Sequence, residues 1–408
     1  MEGKNTFVDR TSLLEKLFCF FLVISSGTLF STDYPYALYG LVIVFITMII
    51  TRQLRYDSAM NKVTLIIGVM MVLSFLQILI FSDAGKDILL LLKNFLLIFV
   101  VFCFAFSSPQ NNICRLGVIV RIVLLFSFIS NVIFILYFVG GVVEFSRSPT
   151  TDSLHYHYLE QICGNALVGL EYRNGGIYYE PGMYQIFLCL ALLYYLYAPK
   201  IKFKLLLISY LILTIVTTFS ISGYATAGGI IATYVLWKKY KSPLIKIAVL
   251  LVVILGFFYV SPQLKESFEV KTETNSYEVR NKDLSLGFDV FLSSPVFGYG
   301  IVNHEFAKAY GKQSESERNS SNGLMNLLIS FGLVGAIIVF VCFMGMIRWL
   351  SRYFTPKIRW GFAIWFIISL NTESIYLLPL FFYILGVGAA NKYDERLMRK
   401  SVLNSSVA

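Results

Sequence analysis

The sequence predicts an all-α polytopic membrane protein with about twelve transmembrane helices and two larger extracytoplasmic loops. Hydrophobic residues make up 57% of its 408 positions and charged residues only 14%, whereas soluble domains carry about 25% charged residues. The mean hydropathy is +0.70, and the apolar residues form runs long enough to cross ~30 Å of hydrocarbon. We therefore expect a single integral membrane domain over residues 1–408.

Twelve apolar runs are candidate spans. We expect the first to be a retained helix, because no small-x-small cleavage site of a signal peptide follows it. Residues 220–223 separate two short helices in the middle of the chain, and 358–371 is barely long enough to cross. The runs are 13–30, 35–51, 63–81, 87–106, 116–140, 175–198, 203–220, 222–237, 243–261, 322–347, 358–371 and 373–390.

Basic residues between the runs predict the orientation. The net charge is +10, and Lys and Arg gather in short tracts at every second connection, which is typical of cytoplasmic loops and not of a nucleic-acid-binding surface. Both termini are then cytoplasmic, in a bacterial inner membrane, and the long segments 142–174 and 262–321 are extracytoplasmic. The second contains an amphipathic helix over 277–293. Its apolar face is formed by Leu284, Phe288, Phe291 and Leu292.

The sequence predicts neither a disulfide framework nor a metal site. The six Cys lie mostly inside apolar runs and form no CxxC pair, which indicates buried small hydrophobes. All three His, at 155, 157 and 304, fall in the extracytoplasmic loops. The H-x-H pair could bind a metal if a third ligand arrived, but no Cys or carboxylate stands at a suitable spacing. We expect no metal and no cofactor.

Four segments carry motifs in a fixed order, and together they resemble the Wzy polymerase and O-antigen ligase superfamily. The patterns that they resemble are R-x-x-G-x-x-x-E-P, T-F-S-x-S/R-G, R…P-x-x-G-x-G and N…x-x-G-x-x-G. In this chain they are R-N-G-G-I-Y-Y-E-P-G at 173–182, F-S-I-S-G-Y-A-T-A at 219–227, Arg280 with S-P-V-F-G-Y-G at 294–300, and S-N at 321–322 with F-G-L-V-G at 331–335.

The resemblance implies a Wzy-type O-antigen or capsule polymerase, a glycosyltransferase that needs no metal. Such an enzyme moves the growing glycan from undecaprenyl pyrophosphate onto the next lipid-linked repeat unit, outside the cytoplasm. The implied partners are the lipid-linked glycan, membrane lipid, a chain-length regulator and a flippase, and no nucleic acid. Ligases of the superfamily carry a His before the Asn that opens the helix after the large loop. Ser321 stands there in this chain, which weakens the ligase interpretation.

Two other functions remain open. An O-antigen ligase would transfer the finished glycan to a lipid A core with the same architecture. A transporter or polysaccharide-lipid flippase would share the helices without the chemistry. Transporters show similar halves and broken helices with polar residues at the membrane midplane, whereas polar residues here concentrate in the extracytoplasmic loops. This distribution favours an enzyme at the membrane interface.

Arg173 and Arg280 are the candidates for stabilising the pyrophosphate leaving group, because a guanidinium stays charged and binds phosphate oxygens in pairs. The alternative roles are an interfacial anchor for Arg173 and an ion pair with Asp283 for Arg280. For the acceptor hydroxyl a general base is needed. The catalytic candidates on the outer side for this role are Glu180 and His304, with Glu305 beside them.

Glu180 is expected to be partly buried at the membrane boundary, and its alternative role is to neutralise the N-terminus of the following helix. Lys93 lies inside an apolar run, where it either snorkels to the surface or faces a groove that holds the lipid pyrophosphate. The predicted substrate-binding residues are Gly176, Tyr179, Ser220, Ser222, Gly298, Gly300, Asn322 and Lys93.

Overall fold

The computed structural model describes residues 11–28, 36–54, 85–140, 174–178, 180–199, 201–238, 276–301, 305–309 and 322–391, with a few isolated positions between them. This part of the chain is helical apart from one isolated bridge between Thr28 and Tyr178, which confirms the all-α class. Its helices are α1 (Leu13–Ile24), α2 (Tyr36–Ile50), α3 (Gly85–Ser107), α4 (Asn112–Gly140), α5 (Pro181–Tyr197), α6 (Lys204–Thr217), α7 (Ile221–Trp237), α8 (Ser276–Ser293), α9 (Glu305–Ala309), α10 (Gly323–Tyr353), α11 (Ile358–Thr372) and α12 (Pro379–Asn391).

The described helices include counterparts of ten predicted runs, namely α1 to α7 and α10 to α12, while the runs 63–81 and 243–261 lie largely outside the described residues. Within the described residues three helices, Ile88–Ser107, Pro109–Leu136 and Gly323–Tyr353, are long and apolar enough to cross a membrane. Other apolar helices, among them α2, α5, α6 and α12, are shorter. The chain is an integral membrane protein, and the number of twelve spans stays a prediction.

The first helix is shorter than the predicted run 13–30. It ends at Ile24, because Gly27 adopts φ 77° and turns the chain. The hydroxyl of Ser26 donates to a carbonyl in the last turn of α1 (2.7 Å) and accepts from the backbone N–H of Leu380 (2.9 Å), which ties the turn to α12. Twelve residues rise only ~18 Å, so α1 alone is too short to cross ~30 Å of hydrocarbon.

The helix α10 is broken at Gly332, where φ is 61° and ψ is −161°. We call residues 323–331 α10a and residues 333–353 α10b. The prediction of one continuous helix over 322–347 is therefore wrong at this point. The signal was the glycine itself, since few other residues adopt a positive φ without strain. The remaining α10b rises ~31 Å by itself, which is enough to cross the hydrocarbon.

The break turns α10a back toward the end of α11. Phe343 of α10b stacks on Phe366 of α11 with ring centroids 4.6 Å apart. Gly323, twenty residues earlier, packs against the carbonyl of Leu370, only four residues beyond Phe366. A straight helix rises ~30 Å over twenty residues but ~6 Å over four. The two contacts are compatible only because α10a folds back at Gly332.

The central helix of the bundle is α5. Fifteen of its seventeen residues are buried, as expected of a helix that is apolar on all sides. The indole N–H of Trp365 on α11 donates to the carbonyl of Ile186 on α5 (2.8 Å). Gly361 of α11 packs closely on α5, since a Cβ there would lie 2.8 Å from a methyl group of Leu193. Close contact with its neighbours thus fixes α5, whose N-terminus carries the first motif segment.

Basic residues collect at the end of the bundle away from the N-terminus of α5. Lys204 donates to the carbonyl of Ala198 after α5 (3.0 Å), and Lys357 donates to the carbonyl of Trp237, the last residue of α7 (2.7 Å). Arg115 at the start of α4 is buried and donates to Glu15 (Nε to Oε1, 2.9 Å). We call this the basic end and the opposite one the site end. The basic end contains Arg115, Lys204 and Lys357, which come from three basic connections that the sequence assigns to the cytoplasm.

Candidate functional site

One buried asparagine fixes the segment before α5. The side-chain amide of Asn174 donates to Asn131 on α4 (2.8 Å) and to Thr217 at the end of α6 (3.0 Å). Its carbonyl oxygen accepts from the Ser130 hydroxyl (2.6 Å) and from the N–H of Gly176 (3.1 Å). Both donors and both acceptor positions are thereby used inside the protein. Asn174 directly follows Arg173, so this network anchors the chain next to that residue.

The turn after Asn174 depends on Gly176, one of the predicted binding residues. It adopts φ +61°, and a Cβ there would lie 2.9 Å from the Tyr184 ring. The ring of Tyr178 then packs on Tyr184 and on Phe187, with centroids 5.4 and 4.4 Å apart. The described contacts of Gly176 are therefore structural, because the glycine lets the turn lie flat on α5.

Glu180 is the N-cap residue of α5, and Pro181 occupies the first helical position, where its missing N–H costs nothing. The Glu180 side chain is exposed and makes no capping hydrogen bond. The partial burial expected for Glu180 is not observed. Helix neutralisation by a capping bond is also not observed. The carboxylate is left facing the surroundings.

A second carboxylate, Glu373, occupies the position against the N-terminus of α5. A Cβ on Gly182 would collide with the carboxylate of Glu373. The backbone of Glu373 leaves equally little room at Gly323, the first residue of α10a. Glu373 is half-buried and follows the last residue of α11. It therefore lies between the first motif segment, at Gly182, and the last, at Gly323.

Polar side chains continue from Glu373 along the start of α10a. The amide of the buried Asn326 donates to the Ser374 hydroxyl (2.8 Å) and to the carbonyl of Ser320 (2.6 Å), and its oxygen accepts from the Ser320 N–H (3.0 Å). Asn322, a predicted binding residue, caps α10a, since its side-chain oxygen accepts from two backbone N–H groups. The C-terminal end of the large loop and the start of α10a are thus joined to the segment that follows α11.

The second motif segment packs on the other side of α5. Phe219 adopts φ 45° and breaks the chain between α6 and α7, which confirms the two short helices. Ser220 caps α7 by accepting from the N–H of Gly223 (3.3 Å), and its hydroxyl lies 3.0 Å from that of Ser222. The amide of Gln185 on α5 donates to the Ser222 hydroxyl (3.4 Å). Gln185 links this segment to the helix that the first segment opens.

The third and fourth motif segments form one structure at the break in α10. The N–H groups of Tyr299 and Gly300 donate to the carbonyls of Ile329 and Ser330 (2.8 and 2.9 Å). In return, the N–H groups of Leu333 and Val334 donate to the carbonyls of Pro295 and Val296 (2.8 and 3.1 Å). These are the backbone groups that the break at Gly332 leaves without helical partners. We call residues 294–300 the docked loop.

Glycines allow this close approach. Gly298 and Gly300 adopt φ +67° and +95°, and a Cβ on Gly298 would lie 2.5 Å from the carbonyl oxygen of Ile329. Both were predicted to bind substrate; in the described structure they shape the docked loop. The helix α8 also packs on α10a, and Val290, Phe291, Phe306 and Ile329 form a small core apart from the main one.

The structure leaves several predicted residues unplaced. Arg173, Tyr179 and His304 lie outside the described residues, and for Arg280 only the backbone, within α8, is described. Lys93 is exposed on α3 beside exposed leucines, and none of its described contacts joins it to the motif segments. The roles of these residues stay predictions. Among the described residues no cluster of His, Cys, Asp or Glu could hold a metal ion, and His155 and His157 are not among them.

Sequence reasoning missed Glu373, Asn174, Gln185 and Asn326. Glu373 is the first residue of the predicted apolar run 373–390 and was not considered there as a site residue, and its partner Gly182 is 191 positions away. One signal was available, since Asn174, Gln185 and Asn326 are polar residues within or next to apolar runs. Such residues usually face the protein interior and pair there.

The site end offers two carboxylates and several hydroxyl and amide groups. Groups of these kinds suit the binding of a polyhydroxylated ligand.

A Gly298→Ala substitution should undock the loop, because its Cβ would meet the backbone of α10 at a residue with positive φ. We expect faster amide hydrogen exchange in peptides covering 294–300 and 329–334 of the detergent-purified variant. The control is Gly68→Ala, where a Cβ would meet nothing within 4 Å. Unchanged exchange in Gly298→Ala would show that the docking does not depend on this glycine.

The comparison with known families agrees with these motifs over one third of the chain. Residues 205–340 match the family model described as O-antigen ligase. The match runs from α6 to the middle of α10b and includes the second, third and fourth motif segments, while Glu180 and Glu373 lie outside it. No curated protein matches the chain. Residues 205–340 are thus similar to the O-antigen ligase family, consistent with the O-antigen polymerase and ligase superfamily.

Proposed function

We propose that this protein polymerises lipid-linked oligosaccharide repeat units into a surface polysaccharide, O-antigen or capsule, at the extracytoplasmic face of a bacterial inner membrane. The observation that carries the proposal is the convergence of motif segments at the site end. Gly182 and Gly323 both contact Glu373, and the docked loop is hydrogen-bonded to the helix that Gly323 opens. The family match over residues 205–340 supports a reaction on lipid-linked glycan.

The charge distribution supports the orientation. Lys204, Lys357 and Arg115 lie at the basic end, and cytoplasmic loops carry an excess of such residues. The site end then faces outside, where a lipid pyrophosphate donor presents its glycan. An interfacial enzyme needs its polar groups at that end and not at the midplane. Glu180, Glu373 and the polar groups around Asn326 satisfy this requirement.

The proposed reaction transfers the growing glycan between two lipid carriers. A hydroxyl at the non-reducing end of the acceptor repeat unit attacks the anomeric carbon of the donor glycan. The new glycosidic C–O bond forms, and the bond from the anomeric carbon to the pyrophosphate oxygen breaks. Undecaprenyl pyrophosphate leaves with the bonding electrons, and the hydroxyl proton passes to a carboxylate or to water. Neither oxidant nor reductant is needed.

Arg173 and Arg280 are proposed to hold the pyrophosphate, whose negative charge grows as the leaving group departs. Asn174 anchors the chain beside Arg173 through five hydrogen bonds, counting its backbone N–H to the carbonyl of Thr217 (2.9 Å). Position 280 lies in α8, which packs on α10a through Gly287 and Met325. The described residues next to each arginine lie at or near the site end, which supports the proposal.

Glu373 is the carboxylate proposed to orient the acceptor hydroxyl and accept its proton. It is half-buried and contacts two motif segments, whereas Glu180 is exposed and caps nothing. A general base has to be held in place relative to the reacting atoms. Glu373 meets this condition better, although the sequence pointed to Glu180 and His304. The structural alternative for Glu373 is neutralisation of the N-terminus of α5.

The deletion strain distinguishes polymerase from ligase. If the chain is a polymerase, its loss should leave lipopolysaccharide with a single repeat unit on an intact core, or the corresponding loss of capsule polymer. A ligase would instead leave bare core and accumulated lipid-linked polymer. A flippase would leave bare core and unpolymerised lipid-linked units on the cytoplasmic side. Gel electrophoresis of the lipopolysaccharide and analysis of the lipid-linked pool separate these outcomes.

Arg173→Lys and Arg280→Lys should each slow polymerisation, because lysine keeps the charge but not the planar pair of donors. A rate loss on the order of 10² to 10³ is expected if the contact tightens in the transition state. The readout is the chain-length distribution in cells that express each variant at the wild-type level. Arg359→Lys is the matched control, since Arg359 is exposed beside Trp360 near the basic end. Full-length polymer from both test variants would refute the leaving-group role.

Glu373→Gln should lower the polymerisation rate on the order of 10² to 10⁴, because the amide keeps the shape of the side chain but cannot accept the proton. Glu180→Gln is the comparison and should retain most of the rate. If Glu373 is purely structural, Glu373→Gln should instead lower the melting temperature of the purified protein and leave the polymer near normal. Recovery of a defined part of the rate in Glu373→Asp, with an altered pH profile, would support the carboxylate role.

A further inference from the structure

The helix α8 has three distinct faces. Asp283, Gly287 and Val290 are buried, and Gly287 packs on Met325 of α10a. Four-residue spacing places an exposed apolar ridge on a second face, with Leu284, Phe288 and Leu292 exposed by 44%, 50% and 54%. A third face, one residue further along, presents exposed polar residues such as Ser285 and Asp289. One face of α8 thus packs on protein, the second is apolar and exposed, and the third is polar and exposed.

The apolar ridge continues into the surface of the membrane-spanning helix. The docked loop follows α8 and exposes Val296 and Phe297. Its carbonyls at 295 and 296 accept hydrogen bonds from Leu333 and Val334, the first residues of α10b. Leu333, Val334 and Ile337 are themselves exposed, as expected of a lipid-facing helix surface. Exposed apolar residues of α10b and of the docked loop are therefore neighbours at this junction, and α8 leads directly into it.

We propose that α8 lies in the interface of the outer bilayer leaflet, with the ridge of Leu284, Phe288 and Leu292 in the acyl region and the face of Ser285 and Asp289 in water. The occupant of the ridge is the lipid bilayer. Helices with an apolar face and a polar face bind in this way. Continuity with α10b sets the depth, because Leu333 and Val334 begin a helix just long enough to cross the hydrocarbon.

This placement deepens the proposed function and rests on it in one respect. Position 280 stands one helical turn before Leu284 along the same ridge of α8. An interfacial α8 holds that turn at the depth of lipid phosphate groups, where the pyrophosphate of a lipid-linked donor lies. The enzyme would then meet its donor without lifting the carrier out of the bilayer. The membrane contact itself does not depend on which glycan reaction the protein catalyses.

The test measures the surroundings of single positions. A bimane label is attached to Phe288→Cys, to Asp289→Cys and to Ile337→Cys, each in a background without the six native cysteines, and the proteins are placed in liposomes. Lipids brominated in their acyl chains quench a label in the hydrocarbon, and aqueous iodide quenches one in water. We expect bromolipid to reduce emission at 288 and 337 but not at 289, and iodide to reduce it at 289.

Iodide quenching at 288 without bromolipid quenching would place the ridge in water and overturn the proposal. Absence of both would mean that protein covers the ridge, which also overturns it. If the cysteine-free background does not fold, the wild-type protein is photolabelled from lipids that carry a diazirine in the acyl chain. Label in a peptide spanning 284–297 supports the proposal, and label in α10b alone refutes it. Polymer assays in the deletion strain test the glycan reaction separately.

Discussion

The site depends on the pairing of the backbone groups that the break at Gly332 sets free. A helix that breaks near lipid exposes N–H and C=O groups that have no water to bind, and each one costs free energy if it stays unpaired. The docked loop supplies four hydrogen bonds to residues around the break. It can approach this closely because Gly298 and Gly332 lack a Cβ. The large loop and the fourth motif segment therefore hold each other in place.

A second arrangement fixes the other half of the site. The buried helix α5 is held by Trp365 and by close contacts at Gly361, and the satisfied amide of Asn174 locates the chain that enters it. Glu373 connects the halves, because it contacts Gly182 of α5 and Gly323 of α10a. Rigid elements on both sides place the carboxylate, and preorganisation of this kind is what a transfer between two large substrates requires.

The all-α class, the break between α6 and α7 and the helix α8 could be predicted from local patterns. The apolar runs predict the helices, Ser220 to Gly223 predict the break, and Pro295 predicts the end of α8. Each of these signals lies within or next to the element that it predicts. The fold-back of α10 could not be predicted, because Gly332 alone does not say which segment pairs with the freed backbone. Glu373 was missed for a similar reason, since its significance comes from contacts across 191 and 50 positions of sequence, to Gly182 and Gly323.

The contact of Glu373 with two glycines has a consequence for building hybrid proteins. Residues 205–340 are the part that matches a family model, which makes them an obvious module for exchange between relatives. Gly323 belongs to that module, whereas Gly182 and Glu373 do not. A graft would therefore separate three residues that leave no space between them. Modules that include the first motif segment and the connection between α11 and α12 would preserve the fit. The segment that has to be exchanged as a whole is therefore longer than the segment that matches the family model.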